Sequence, residues 1–203
     1  MSTTKKVLIT GFEPFGGASL NPSRLLVEAL MKERITGIEL LSLILPVEFD
    51  AATKELLAKV NESKPDIVIS FGQAEGRDAI TPEKIAINLD DARIPDNSGD
   101  QRKNQSIVTY GLDGYFSTLP VEKMVEAMKS AGVASQLSLT AGTFVCNHIF
   151  YALQHALHGK NVKSGFVHLP LVPEQSAEFP GQPTMELKEM VQGAVAAIKA
   201  ATT

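Results

Sequence analysis

Apolar positions along the chain fall into short unbroken runs alternating with longer runs of helical spacing. Val7-Leu8-Ile9-Thr10 is almost wholly apolar and stops at Gly11, as a strand buried on both faces does. Asn21-Pro22-Ser23 supplies a capping side chain and a proline at the first helical position. A helix is predicted from there to about residue 32, with Leu25, Leu26, Ala29 and Leu30 as its buried stripe. Residues 38–45 form a second strand, closed by Pro46. Residues 48–61 read as a helix with Phe49, Ala52, Leu56, Leu57 and Val60 on one side, and residues 67–71 as another core strand. This β-α-β-α-β order predicts a largely parallel sheet with helices on both faces.

The second half is less regular. Residues 84–89 alternate, as a more exposed strand would, and residues 90–106 are the longest polar stretch in the chain. A loop of that length in a compact domain is usually functional or disordered. Residues 111–119 fit either an exposed hairpin or an irregular wall. A helix follows over residues 120–130, with Val121, Met124, Val125 and Met128 inward and Gly132 as its stop. Residues 135–139 alternate and predict a strand. Gly142-Thr143-Phe144-Val145-Cys146-Asn147-His148 then turns into a helix that runs through Leu157 and ends at Gly159. A last strand covers residues 165–170, and residues 184–200 close the chain as a helix. No repeat and no linker divides the sequence, so residues 1–203 are expected to form a single domain.

Composition narrows the function more than the fold. Of 203 residues, 44% are hydrophobic and 21% charged, as in ordinary globular proteins. Nineteen basic against twenty-three acidic side chains give a formal charge of -4, which argues against a nucleic-acid or anionic-membrane surface. A single cysteine rules out an internal disulfide and a multi-thiolate metal site. The polar start, Met1-Ser2-Thr3-Thr4-Lys5-Lys6, lacks the apolar core of a signal peptide, and no later run is long enough to span a bilayer. A cytoplasmic protein with a reduced thiol is expected.

That thiol, Cys146, sits close to a predicted helix N-terminus, where unpaired N–H groups and the helix dipole favour thiolate. The alternative is an inert buried cysteine serving as a small hydrophobe. Of the four histidines, His148 lies two residues on and points away on a helix. His155 and His158 fall late in the same helix. His168 ends the last strand, and if that strand runs parallel to the one before Cys146, both residues emerge at one sheet edge. A carboxylate is then needed to orient the imidazole. Glu83 is a candidate that residue chemistry alone does not prefer over Glu75 or Asp91. Arg93 could face a carboxylate product or a developing oxyanion. The loop Gly11-Phe12-Glu13-Pro14-Phe15-Gly16-Gly17 matches neither phosphate-binding spacing, and its two phenylalanines fit an apolar ligand pocket or a core plug. The aspartates of residues 90–100 lack the ligand spacing of a calcium loop.

Together these stretches resemble the pyroglutamyl-peptidase I (pyrrolidone-carboxylate peptidase) family of cysteine peptidases. The resemblance rests on the Phe12–Phe15 loop, Ala79-Ile80-Thr81-Pro82-Glu83, Asn88-Leu89-Asp90-Asp91-Ala92-Arg93-Ile94-Pro95-Asp96, the cysteine turn and Phe166-Val167-His168-Leu169-Pro170. It runs from about Lys6 to the final helix. It implies a three-layer α/β/α sandwich around a mostly parallel, mixed, twisted sheet. It also implies a Cys146–His168–Glu83 triad, no metal and no cofactor, removal of N-terminal pyroglutamate from peptides, and a homotetramer. By the same resemblance Phe12 and Phe15 sandwich the pyrrolidone ring, with Asn21, Gln73 and Val145 around it. Arg93 lies near the nucleophile as transition-state support, and backbone N–H groups help form the oxyanion hole. The clearest local departure is Glu75, where a glycine is common. A cysteine hydrolase for another amide, or a ligand-binding module with an inert Cys146, are the competing readings; alkylation and a substrate panel separate them.

Overall fold

The computed structural model describes residues 4–203; Met1, Ser2 and Thr3, the start of the segment read as too polar for a leader, lie outside the described residues. The first half builds as its pattern predicts: β1 (Lys5–Phe12), α1 (Pro22–Leu30), β2 (Ile38–Leu45), α2 (Phe49–Ser63) and β3 (Ile67–Gln73). Asn21 caps α1 by accepting the Ser23 N–H, and Pro22 takes the first turn, where no N–H is needed. After these come β4 (Thr81–Pro82), β5 (Ile85–Ile87), β6 (Gly114–Phe116), α3 (Val121–Ser130), α4 (Val145–Leu157), β7 (Lys163–Leu169) and α5 (Leu187–Thr202).

The central sheet has the order β2-β1-β3-β7-β4. Its first four strands are parallel, and β4 is antiparallel to β7 at the edge. Alternate residues of the strands feed two apolar layers. Val7, Ile9, Ile67 and Ile69 meet α1, α3 and α5 on one face. Leu8, Val68 and Phe166 meet α2 and α4 on the other. The molecule is therefore a three-layer α/β/α sandwich with a mixed, mostly parallel sheet. Parallel strands deliver all their carboxyl ends to one edge, and the register sets Gly72 opposite His168 and Gln73 opposite Leu169 there.

Residues 135–139 are not a strand of this sheet. They make isolated parallel bridges, Ile80 to Ser135 and Glu83 to Ser138, along the outer side of β4. The alternation misled because Leu137 and Leu139 face solvent, 39% and 70% exposed, rather than a core. Since β4 opposes β7, this segment runs against the last strand. The premise that His168 and Cys146 follow parallel strands is thus corrected. Cys146 reaches the carboxyl edge because α4 crosses over to β7 from that side. Residues 111–119 resolve as a hairpin partner, with β6 antiparallel to β5 in a separate two-stranded ribbon.

The polar stretch 90–106 is an ordered loop. Asp96 Oδ1 accepts from Ser98 N–H, Ser98 Oγ–H and Asp100 N–H, and Oδ2 accepts from Phe49 N–H at 3.1 Å. Burial alone would raise its pKa, but these donors hold it below the usual value. Arg102 joins Asp50, Asp90 and Asp100 and lies 4.6 Å over the Phe49 ring. Asp90, Asp96 and Asp100 are thus engaged by N–H, O–H and guanidinium donors, and Asp91 lies 3.7 Å from Lys103 Nζ.

Gly11 allows α1 to sit against the end of β1. A Cβ there would lie 2.5 Å from the Ser23 carbonyl oxygen and 2.7 Å from its carbon, backbone atoms that cannot yield cheaply. Gly11→Ala is expected to destabilise the protein by about 1–3 kcal/mol, read as a lowered urea midpoint.

Candidate active site

The carboxyl edge of the sheet carries a cleft of about 380 Å³, lined by Phe15, Gln73, Glu75, Arg77, Asp91, Arg93, Phe144, Cys146 and His168 among others. The thiol is the second residue of α4. No side chain caps this helix, so the N–H groups of its first turn remain available to an anion. Gly142 makes the preceding turn with φ +75°, a conformation that favours glycine. Thr143 fastens the turn to the long loop, donating its hydroxyl to the Asp91 carbonyl at 2.9 Å while its own carbonyl accepts the Asp91 N–H at 3.0 Å.

His168 is 4% exposed and donates Nδ1–H to Glu83 Oε1 at 2.7 Å. The tautomer follows from the partner, because an ionised carboxylate can only accept. Nε2 is left for the cleft. Glu83 is fully buried, and Arg77 Nη1 reaches the same oxygen at 2.9 Å. Arg77 also bonds Thr81 Oγ1 and, through Nη2, the Thr140 carbonyl at 3.0 Å. Among Glu83, Glu75 and Asp91, Glu83 is the carboxylate against the imidazole; the other two are exposed on the cleft wall.

Cys146 is half-buried, and burial of its thiol, with the Glu83 charge nearby, pushes the pKa up to about 12 against the opposing pull of Arg77 and a backbone N–H. Burial likewise lowers the pKa of His168, with Glu83 opposing. Burial thus favours the neutral thiol and the neutral imidazole over the ion pair. The helix N-terminus favours thiolate, and the backbone N–H lowers the Cys146 pKa as expected there, but desolvation of the sulfur is the larger effect.

Beside the sulfur opens an apolar slot walled by Phe12, Phe15, Asn21, Val47, Gln73, Phe144, Val145 and Cys146. It is narrow, about 10 Å³, roughly the space of one water. Phe12 ends β1 and is 2% exposed, while Phe15 is half-buried with its ring 6.0 Å from that of Phe144. Val145 is fully buried. Asn21 donates Nδ2–H to the Glu13 carbonyl at 2.9 Å and accepts from Ser23 N–H and Oγ–H, so it steadies the Phe12–Phe15 loop. Gln73 lines both slot and cleft. Arg93 is exposed on the cleft wall.

Sequence reasoning missed Arg77 and Gly72. Arg77 lies in the loop after β3 that also carries Glu75, but its reach to Glu83 depends on the edge pairing of β4. A Cβ on Gly72 would fall 3.0 Å from the Cys146 sulfur and 2.7 Å from Phe166 Cζ, a close approach visible only in space. His148 is committed elsewhere, with Nδ1 2.8 Å from Asp90 Oδ2 and its ring edge-on to Phe49.

The profile of the pyroglutamyl peptidase family matches residues 5–203. The chain belongs to that family. Among its pyroglutamyl-peptidase relatives, the pyrrolidone-carboxylate peptidase of Vibrio vulnificus is 49% identical over 189 residues, 93% of this chain and 89% of that protein. The Bacillus cereus pyrrolidone-carboxylate peptidase is 44% identical over 201 residues, covering 98% and 94%. The crystal structure of pyroglutamyl peptidase I from Bacillus amyloliquefaciens superposes with a TM-score of 0.94 at 40% identity, covering 99% of this chain and 97% of that one. A mutant pyrrolidone carboxyl peptidase from Pyrococcus furiosus gives 0.92 at 37%, covering 97% and 98%.

Because the folded thiol titrates above its ordinary value near 9, its share of stability is complete below about pH 9 and is lost as pH rises towards 12. Wild type is therefore expected to lose more stability than Cys146→Ser between about pH 7 and about pH 10.5. Urea midpoints at the two pH values check this; equal losses would contradict the buried thiol.

Proposed function

We propose that this chain is a cysteine exopeptidase that hydrolyses the amide bond after an N-terminal pyroglutamyl residue through a thioester. The observation that carries this reading is the cleft where Cys146 and the Glu83-bound His168 meet an apolar slot walled by phenylalanines, in a chain matched to the family along residues 5–203. Pyroglutamate has no free α-amine, so its site needs flat apolar walls and a few groups for the lactam rather than a buried counter-ion. Phe12, Phe15 and Val145 are proposed as those walls, with Asn21 holding their loop and Gln73 facing the ring's polar edge. Ring entry requires the walls to part, and Phe15, half-buried on a loop that turns through Gly16 and Gly17, is placed to move.

The proposed chemistry starts from the neutral pair. His168 Nε2 takes the thiol proton as sulfur attacks the pyroglutamyl carbonyl carbon, and Glu83 stabilises the imidazolium that forms. Uncapped N–H groups of α4 receive the developing oxyanion, with Arg93 adding positive charge nearby. His168 then protonates the leaving amine as the C–N bond breaks. It next removes a proton from water, whose oxygen attacks the thioester and releases pyroglutamic acid and the thiol. No step needs a metal or cofactor.

The protein is proposed to work as one domain spanning residues 1–203, as a cytoplasmic homotetramer on peptides, without nucleic-acid or membrane partners. A reduced thiol supports the compartment, and the absence among described residues of any helix long and apolar enough to cross a membrane is compatible with it. The exposed Leu112, Phe116 and Leu139 support an assembly.

Cys146→Ala is expected to abolish turnover of pyroglutamyl amides with the fold intact by circular dichroism. Glu83→Gln should lower kcat by about 10³–10⁴-fold, since the imidazolium loses its counter-charge. His168→Ala should remove turnover and also alkylation of Cys146 by iodoacetamide near neutral pH, because no base is left to take the thiol proton; unchanged alkylation would refute its role as base. Chelators should leave activity intact. A panel of pyroglutamyl, prolyl and acetyl-aminoacyl amides tests the substrate class, and efficient cleavage of the last two would overturn it.

A further inference from the structure

The slot contains one polar group whose needs are not met. Gln73 is 7% exposed, its Oε1 accepts Gln175 Nε2–H at 3.0 Å, and its own Nε2 is buried with no partner among the described residues. A buried amide donor left unpaired is costly, so either a ligand meets it or the amide is turned the wrong way.

Its surroundings decide between these. Gln175 is fully buried in the 3-10 turn Pro173–Gln175 that follows β7. Its Oε1 accepts the Val172 N–H at 3.2 Å, and its Nε2 also donates to the Leu20 carbonyl at 3.3 Å. A backbone N–H only donates and a carbonyl only accepts, so these main-chain partners allow Gln175 one orientation. That orientation presents NH₂ to Gln73, which must answer with its oxygen. The Gln73 NH₂ is what remains for the slot.

We infer that Gln175 is a positioning residue for lactam recognition: it fixes the Gln73 amide so that Nε2 donates to the ring carbonyl of the bound pyroglutamyl group. The inference rests on the reading of the slot as the pyroglutamyl site. It gives the chain a means of rejecting prolyl substrates, whose ring lacks that carbonyl and would leave the Gln73 donor buried and unpaired. It also ties recognition to the turn after β7, the strand that carries the catalytic imidazole.

The probe is 2-pyrrolidone, followed through its protection of Cys146 against iodoacetamide, alongside KM and kcat for a pyroglutamyl amide. Gln73→Met and Gln175→Met should each weaken protection and raise KM about tenfold, with kcat little changed. The double variant should be no worse than Gln73→Met, because one residue acts through the other. Gln175→Glu keeps the acceptor for Val172 N–H but draws the Gln73 NH₂ towards itself, and should weaken protection more than Gln175→Met. The unprotected alkylation rate and thermal midpoint report whether each variant is folded. In wild-type protein the Gln73 side-chain amide signals, identified by their loss in Gln73→Met, should shift on adding 2-pyrrolidone. If Gln73→Met leaves protection unchanged, the reading of the slot fails. If it weakens protection while Gln175→Met does not, or if the two effects add, the inference fails and the reading stands. Unmoved Gln73 amide signals overturn the inference even where a Gln175 variant does not fold.

Discussion

Glu83 has no exposed surface, and a carboxylate so placed persists only where donors replace its lost hydration. His168 and Arg77 converge on one of its oxygens. Each donor comes from a different part of the fold: the imidazole from the end of β7, the guanidinium from the loop after β3. The two-residue strand β4 sets Thr81 and Pro82 against β7 and so delivers Glu83 to that meeting point. Arg77 also holds the Thr140 carbonyl, which steadies the approach to the cysteine turn. Removing any one of the three leaves a buried charge or donor without its complement, so their energetics are shared rather than separable.

How much of this could be read from the chain depended on the range of the interaction involved. The first five elements follow from local periodicity and from punctuation by glycine and proline, and the structure places them within a few residues of expectation. Residues 135–139 failed because alternation reports a two-faced environment and not its cause; here backbone bridges beside β4 produce it, with Leu137 and Leu139 in solvent. The identity of the carboxylate against His168 was illegible for a related reason. Glu83, Glu75 and Asp91 differ in tertiary placement and not in chemistry. Gly72 shows the same limit, since its requirement comes from a sulfur and a ring brought over it by α4 and β7.

On the proposed reading, substrate recognition and bond cleavage share one edge of the sheet and part of the same lining. The slot draws on the ends of β1 and β3 and the loop after β1, through Phe12, Phe15 and Gln73, and on the start of α4, through Phe144, Val145 and Cys146, while β7 brings the imidazole. Glu75 lines the cleft and not the slot.

The burial of the Cys146 thiol has a consequence for durability. Thiolate attacks peroxides and disulfides far faster than the neutral thiol does. Burial that raises the Cys146 pKa therefore slows its uncatalysed oxidation, which matters for a chain with one cysteine and no second thiol to rescue it. On the proposed mechanism the sulfur's nucleophilicity is generated on demand, when the imidazole accepts the proton in the act of attack. The desolvation that makes the thiol a weak acid thus also preserves it as a chemically intact one.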